Sequence, residues 1–250
     1  MIQNIFERKE SKYWVMREQA DALIDISRSR LEPDAFGSYE IRSVYFDTDA
    51  YDLIRASIEK PPYKEKLRLR SYGTANDDST VFLELKKKYK GVVFKRRADL
   101  TLSQAMILIR EGIPPQSAQI LREIEAFRAR FPVSPKAFIA YDRTAFAGTI
   151  DAGLRVTFDD NIRFRTHTLR LDRDADGQPL GVGGCRLMEI KIPGAFPLWL
   201  SRTLSELEIF PTSFSKYAQG YLKYILPKLL SGISVLSSNY IERAATYIAS

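Results

Sequence analysis

The chain has 250 residues, 45% of them hydrophobic and 28% charged, and 38 Lys and Arg against 31 Asp and Glu give a formal charge of +7. This globular composition excludes a disordered chain, a coiled coil and a collagen-like chain. One cysteine, Cys185, and one histidine, His167, exclude a disulfide framework, a Cys/His zinc site and an iron–sulfur cluster, and favour a reducing, cytoplasmic setting.

The two ends of the chain argue against export and membrane insertion. Charged residues in positions 1–10 interrupt the apolar segment that a signal peptide requires. The apolar stretch 225–236 is short and contains Pro227, so it does not predict a spanning helix. No linker divides the chain, and we expect one domain over residues 1–226 with a helical tail of the same domain over 227–250.

Eight runs of alternating residues, rich in β-branched and aromatic types, predict strands. They lie near residues 5–14, 41–47, 64–71, 80–88, 92–100, 137–147, 154–160 and 186–192. Helical spacing is found after Arg17 and over 102–111, 116–130, 197–207 and 215–225. These elements predict an α+β fold in which an eight-stranded antiparallel sheet closes into a β-barrel with helices packed outside.

Three successive predicted strands concentrate positive charge on one face. In residues 64–70 the alternation places the lysines and arginines on one face and the leucines on the other. Residues 81–88 repeat the pattern with Glu84 among the cations, and Lys95 and Arg97 continue it on the next run.

This face has two readings. A solvated outer face is the common explanation for one charged strand. However, like charges opposed across strands are unfavourable, and two cations ~5 Å apart repel by about 3 kcal/mol at an effective dielectric constant of ~20. Three neighbouring strands of one sign therefore favour a surface that binds a polyanion, which a barrel interior would hold more strongly than an open surface.

Other strands add cations and a few carboxylates to this pattern. Lys12 shares the parity of Glu10, Lys191 shares that of Glu189, and Arg143 lies in a further strand. Glu10, Glu84 and Glu189 either offset the positive charge or supply oxygen ligands to magnesium or manganese that bridges phosphates.

Seven short stretches resemble VTC-domain polyphosphate polymerases of the triphosphate tunnel metalloenzyme (CYTH-like) superfamily, and they follow one another in order along nearly the whole chain. They are residues 12–15 (KYWV), 43–48 (SVYFDT), 63–73 (YKEKLRLRSYG), 82–86 (FLELK), 141–146 (YDRTAF), 189–191 (EIK) and 214–217 (FSKY).

The resemblance implies an enzyme whose eight-stranded β tunnel is lined by basic residues. Such enzymes are metal-dependent phosphotransferases that move the terminal phosphoryl of ATP onto a growing inorganic polyphosphate chain, with Mn²⁺ or Mg²⁺. ATP and polyphosphate are then the partners and no nucleic acid is expected. The cytoplasmic location follows from the cysteine count and the charged N-terminus, and docking to a membrane subunit stays open.

The resemblance assigns roles to individual residues. Arg143 and Arg155 would clasp the transferred phosphoryl, and Lys191 joins them in the catalytic set. Glu189 would bind the metal, with Glu84 and Glu10 as further metal ligands. Binding of the nucleotide and the phosphate chain would fall to seven basic residues: Lys12, Lys66, Arg68, Arg70, Lys86, Lys95 and Lys216.

One departure from the superfamily and two alternatives bear on the function. The opening Glu-x-Glu-x-Lys signature reads Arg8, Glu10, Lys12 here, which argues against a thiamine-triphosphatase-like or adenylate-cyclase-like member. A tunnel triphosphatase that hydrolyses triphosphate or a nucleoside triphosphate is the first alternative. The second is a non-catalytic nucleic-acid-binding domain that uses the basic stretches 86–90 and 95–97.

A separate acidic stretch, residues 172–177, matches the first half of a calcium-binding loop. Gly183 stands where that motif needs a bidentate glutamate, so the sequence predicts a polar hairpin loop instead.

Overall fold

The computed structural model describes residues 8–90 and 92–231. Most of the tail expected at 227–250 therefore lies outside the described residues. The strands in chain order are β1 (Arg8–Met16), β2 (Leu31–Asp47), β3 (Tyr63–Tyr72), β4 (Thr80–Tyr89), β5 (Val92–Thr101), β6 (Ser134–Gly148), β7 (Arg155–Arg165), β8 (Gln178–Pro179), β9 (Cys185–Pro193) and β10 (Pro211–Thr212).

The described part of the chain also contains seven α-helices and one π-helical segment. The helices are α1 (Arg17–Ile26), α2 (Asp52–Ile58), α3 (Leu102–Glu111), α4 (Gln119–Arg130), α5 (Leu198–Glu206), α6 (Lys216–Gly220) and α7 (Leu226–Ser231), with the π-helical turn at Tyr221–Ile225. No helix within residues 8–90 and 92–231 has both the length and the apolar character needed to cross a membrane.

The ten strands form one sheet in the hydrogen-bonded order β10-β1-β9-β7-β6-β2-β3-β4-β5, with β8 paired to β7. The prediction of a sheet with helices is confirmed. Eight of the described strands have nine or more residues, which is the number that the alternating runs indicate.

The closed eight-stranded barrel is not confirmed, because the sheet has ten strands and its hydrogen-bonded order is open. The edge of β1 that faces away from β9 is occupied by β10, with Lys12 opposite Thr212 and Tyr13 opposite Pro211. A proline has no backbone N–H to donate, so β10 is a poor template for a further strand.

Two compact units make up the described residues. The first comprises Glu40–Tyr141 and Arg163–Gln178, and the second comprises Arg8–Tyr39, Asp142–Ile162 and residues 179–231.

In the first unit, β2, β3, β4 and β5 are consecutive antiparallel neighbours. One face of β3 and β4 buries its leucines against the helices α3 and α4, represented by Leu108 and Ile124, as the alternation predicts. Helix α3 begins where the sequence predicts, because Thr101 and Gln104 form a reciprocal capping box, and it ends at Gly112 in the left-handed region. The opposite face of the same strands is left to the charged residues.

In the second unit, β1 and β9 are paired over their whole length and β9 also pairs with β7. Val15, Val156 and Ile190 lie on one face and pack with Leu23 of α1 and Leu200 of α5. The other face carries Glu10, Lys12, Glu189 and Lys191, a segregation that follows from the two-residue period of a strand.

Candidate functional site

A buried carboxylate, Glu84, holds three cations on the charged face of the first unit. Arg68 donates from Nε to Oε2 of Glu84 at 2.6 Å, the Nε of Arg70 lies 3.8 Å from the same oxygen, and Lys95 forms an ion pair with Oε1. Glu84 lies directly opposite Arg68 on β3 and Arg97 on β5. We call Arg68, Arg70, Glu84 and Lys95 the Glu84 cluster.

The charges of the Glu84 cluster are fixed by their surroundings. Burial opposes the ionisation of Glu84, but Arg68, Arg70 and Lys95 outweigh it and hold the pKa of this carboxyl well below its usual range. Burial also lowers the pKa of the Lys95 ammonium, an effect that Glu84 opposes. Glu84 is therefore a permanent anion at neutral pH, and its surplus of cationic neighbours gives the cluster a net positive charge.

Three hydroxyl groups orient the two arginines of this cluster. The Tyr45 hydroxyl accepts from Arg68 at 3.2 Å, and Ser43 and Tyr141 accept from Arg70 at 3.4 Å each. Such contacts limit the rotamers of long side chains and so prepare their forked donors for phosphate oxygens.

Two further predicted residues, Lys66 and Lys86, occupy the next row of the same face. Lys66 lies opposite Lys86, and Lys86 lies opposite Lys95. The structure therefore brings Lys66, Arg68, Arg70, Lys86 and Lys95 onto one sheet face, as the alternation predicts.

A second polar cluster lies in the second unit around Glu189. Lys191 donates to its Oε2 at 3.0 Å, Arg143 lies 3.5 Å from the same oxygen, and Lys12 is 4.0 Å from Oε1. Lys12 also lies 3.5 Å from Glu10 and donates to the carbonyl oxygen of Phe214 at 2.9 Å. We call Glu10, Lys12, Arg143, Glu189 and Lys191 the Glu189 cluster.

Glu189 is also held in its ionised form. Burial would raise its pKa, but Lys191, a hydrogen bond with Glu10, Lys12 and Arg143 together hold the pKa well below its usual range. A carboxylate of this kind, next to a second carboxyl group, is a hard oxygen donor in a positively charged environment.

Asp159, which the sequence reasoning did not single out, links two predicted residues. It accepts from Nε and Nη2 of Arg143 at 2.6 and 2.8 Å and from Nζ of Lys216 at 2.5 Å. Burial opposes its ionisation, yet Lys216 and Arg143 lower its pKa. A signal was available, since Asp159 shares the parity of Arg155 on β7, but its partners Arg143 and Lys216 are remote in sequence.

Arg155 does not join the Glu189 cluster in this structure. It lies opposite Lys191 in the pairing of β7 with β9, but its guanidinium donates to Asp34 at 2.9 Å and to the Tyr39 hydroxyl at 3.1 Å. Its side chain is 47% exposed. The expected role of Arg155 therefore requires its side chain to leave these partners.

The three carboxylates proposed as metal ligands differ in their fit. Glu10 and Glu189 both lie beside Lys12, and Mg²⁺ commonly uses one or two carboxylates and completes its shell with waters and substrate phosphates. Glu84 is surrounded by three cations, which suits charge compensation better than metal binding. Within the described ranges, no three Asp, Glu, His or Cys side chains are grouped to hold an ion.

The acidic loop that resembles a calcium motif is occupied by an arginine of the chain itself. The buried guanidinium of Arg165 donates to the carbonyl oxygens of Thr168, Asp174 and Asp176 and pairs with the Asp176 carboxylate. The loop is thus folded around an internal cation, which agrees with the prediction of a polar loop.

Comparisons with known proteins identify the family of this chain. The family model of the VTC domain matches residues 7–225. Subunit 4 of the vacuolar transporter chaperone complex of Schizosaccharomyces pombe is 26% identical over 197 residues, which cover 64% of this chain and 26% of that protein. The Trypanosoma brucei brucei subunit 4 is 24% identical over 276 residues, covering 86% of this chain and 34% of that protein. The chain thus spans about a third or less of the length of these relatives.

A solved structure supports the fold alone. A Hippeastrum protein, described as a candidate adenylyl cyclase with a dominant triphosphatase activity, superposes with a TM-score of 0.50 at 17% identity, covering 90% of this chain and 96% of that one. The match of the VTC model extends over most of the residues that form the sheet and both clusters. The chain is therefore a member of the VTC-domain family.

Proposed function

We propose that this protein is a polyphosphate polymerase, which transfers the terminal phosphoryl group of ATP onto the end of an inorganic polyphosphate chain. The observation that carries the proposal is that two buried carboxylates hold basic side chains in place: Glu84 pairs with Arg68 in the Glu84 cluster, and Asp159 pairs with Arg143 and Lys216. The membership of the family and the likeness to subunit 4 of the vacuolar transporter chaperone complex support the same activity.

Phosphoryl transfer needs positioned charge more than it needs acid–base chemistry. Its transition state is loose and carries charge on the peripheral phosphate oxygens, which forked arginine donors and lysine ammonium groups stabilise. The acceptor is the terminal phosphate of polyphosphate, which is largely ionised near neutral pH and requires orientation rather than a histidine base. Arg68, Arg70 and Arg143 are oriented for this work by their hydroxyl and carboxylate partners.

A divalent metal belongs to the proposal, with Glu189 and Glu10 as the residues that would hold it. Bound there, Mn²⁺ or Mg²⁺ would neutralise charge on phosphate oxygens. Glu84 as a metal ligand stays a prediction that its three cationic neighbours disfavour, and the closed tunnel around the phosphate chain stays an expectation of the resemblance. Location in the cytoplasm and docking on a membrane subunit are part of the proposal as well, the latter supported by the relatives' names as subunits of a complex.

The nucleic-acid alternative predicts a continuous stripe from residues 86–90 and 95–97. In the structure, Lys87 pairs with Glu65 and Arg96 pairs with Glu123 of α4, whereas Lys86 and Lys95 belong to the opposite face. The basic run is thus divided between two faces of the sheet, which weakens this alternative.

The decisive experiment incubates the purified chain with ATP labelled on the γ-phosphate and with Mn²⁺. We expect the label to appear in long polyphosphate, which is separated from ATP and orthophosphate on a gel and disappears after treatment with exopolyphosphatase. Label only in orthophosphate would replace the polymerase with the triphosphatase alternative. The variant Arg68→Ala provides the control, because loss of an oriented donor of this kind lowers turnover by roughly 10²- to 10³-fold.

A further inference from the structure

The charge on the face that carries the Glu84 cluster increases along the strands. The row Arg70–Phe82–Asp99 has one cation and one carboxylate. The row Arg68–Glu84–Arg97 has two cations and one carboxylate, and the row Lys66–Lys86–Lys95 has three lysines. Toward the end of the sheet at which β4 turns into β5, positive charge therefore accumulates.

One more row lies beyond these, and none of its members has a role in the proposed function so far. Lys64 lies directly opposite Lys88. Among the residues that the structure describes, no carboxylate forms an ion pair with either lysine, and the Lys64 ammonium donates only to the carbonyl oxygen of Ser57, at 3.3 Å. Burial, Lys88 and Lys60 each lower the pKa of Lys64.

The opposite face of the same strands shows that this arrangement is not the rule for the protein. There Lys87, the neighbour of Lys88, forms an ion pair with Glu65, which also pairs with Arg130. Carboxylates thus accompany the cations on the helix-covered face, whereas no carboxylate offsets the repulsion between Lys64 and Lys88 in the described part of the chain. Half-buried like charges facing each other are explained if an anionic ligand neutralises them.

The distance from the Glu84 cluster indicates what kind of anion is needed. Lys64 is four residues from Arg68 on β3, which corresponds to on the order of 13 Å along a strand. A triphosphate held by Arg68 and Arg70 does not extend over that length, but a phosphate polymer does. A polymer lying along the strands would pass from the Glu84 cluster over the three-lysine row to Lys64 and Lys88.

We propose that Lys64 and Lys88 form an outer binding subsite for the distal part of a linear phosphate polymer, so that the chain leaves this face where β4 turns into β5. This inference rests on the proposed function, since it names the path of the polymer. It adds a chain-length preference to the face: long polyphosphate contacts the outer row and tripolyphosphate does not.

The test compares the intact chain with the variant Lys64→Gln/Lys88→Gln, using tripolyphosphate and a long-chain polyphosphate as probes in titration calorimetry. The matched control is Lys9→Gln/Lys228→Gln, which removes the same formal charge from two exposed positions, on β1 and α7. Thermal unfolding of all three proteins verifies that they are folded.

We expect the affinity of the outer-row variant for long polyphosphate to fall about tenfold and the slope of log K against log salt to decrease by about two, as for the loss of two phosphate contacts. Its affinity for tripolyphosphate should stay within about twofold of the unmodified chain, and the control should behave as the unmodified chain does.

If the outer-row variant lost affinity for both probes equally, the inference would be overturned, because the lysines would then act on the whole face rather than on a distal segment of the polymer. Unchanged binding of both probes would overturn it as well. In either case synthesis from ATP by the unmodified chain would leave the proposed function standing. If the unmodified chain binds neither probe and synthesises nothing, the proposed function itself fails, and the outer subsite with it.

Discussion

The carboxylate of Asp159 accepts both Nε and Nη2 of Arg143, at 2.6 and 2.8 Å, and the ammonium of Lys216 at 2.5 Å. Bidentate pairing fixes the plane of the guanidinium as well as its position. Arg143 therefore meets a phosphate with its remaining N–H donors already oriented, and the energy of ordering it is supplied when the protein folds rather than when the substrate binds.

The variant Asp159→Asn tests this arrangement. It leaves the charges of Arg143 and Lys216 largely buried without their anion, and we expect a loss of about 3 kcal/mol in the free energy of unfolding. We also expect kcat of synthesis to fall by roughly 10²-fold, because Arg143 loses its orientation. Denaturant unfolding and steady-state kinetics measure the two effects.

A purely structural role for Asp159 makes a different prediction. It would lower the amount of folded enzyme but leave kcat, normalised to the folded fraction, unchanged. The variant Asp160→Asn is a matched control, since Asp160 is the next residue on β7 and pairs with Arg186 and Arg17 rather than with Arg143.

Substitution of Arg155 distinguishes an effect on catalysis from an effect on stability more clearly than substitution of Arg143 does. Its side chain is nearly half exposed, so Arg155→Ala should change the free energy of unfolding by no more than about 0.5 kcal/mol. If Arg155 clasps the transferred phosphoryl, the same variant should lower polyphosphate synthesis by roughly 10²-fold. Full turnover in Arg155→Ala would remove this residue from the mechanism.

The ion pair of Arg155 with Asp34 provides the companion experiment. Asp34→Asn keeps the arginine and weakens its pairing, so the energy needed to move Arg155 toward a substrate decreases. We expect KM to fall or stay constant in this variant, measured by the same synthesis assay. A loss of activity as large as that of Arg155→Ala would mean that the pair is required as it stands.

If Glu189 and Glu10 bind the metal, substitution of Glu189 should change the dependence of synthesis on Mn²⁺. Glu189→Gln removes the ionised donor while keeping the size of the side chain, and we expect the Mn²⁺ concentration for half-maximal synthesis to rise by roughly tenfold or more. Glu84→Gln is the contrasting variant, because its three cationic neighbours make it a poor ligand. An unaltered Mn²⁺ titration in Glu189→Gln would contradict the assignment.

Acid should destabilise the protein in a way that depends on Glu84 and Asp159. The folded state lowers the pKa of both groups, so they contribute stability above the carboxyl pKa of the unfolded chain, about 4. That contribution is constant from neutral pH to about pH 5 and decreases as pH falls further toward the folded pKa values. The free energy of unfolding against pH measures it, and Glu84→Gln should show a shallower acid decline.

Alternation along single strands predicted which residues share a face, because the two-residue period is a local property. Lys66, Arg68 and Arg70 were placed correctly for this reason, and α3 was placed correctly because its helical spacing and the Gly112 that ends it are local signals. The first part of β2 was not predicted, because Pro33 and Gly37 are unfavourable in a strand. Asp34, the partner of Arg155, lies in this part and was therefore not predicted either.

Pairings between distant segments were not predictable in the same way. Asp159 meets Lys216 across 57 positions of sequence, and the registers that bring them together depend on packing rather than on local pattern. The pairing of β10 with β1 is a second example of a contact that the sequence did not predict. Pro211–Thr212 is too short to show a strand pattern, yet these two residues cover the edge of β1.

The acidic loop around Arg165 has a practical consequence for work with chelators. Its cation is covalently part of the chain, so EDTA can neither extract it nor loosen the segment that it organises. Any activity that EDTA abolishes and Mn²⁺ restores can therefore be attributed to an exchangeable ion elsewhere, without a contribution from this motif.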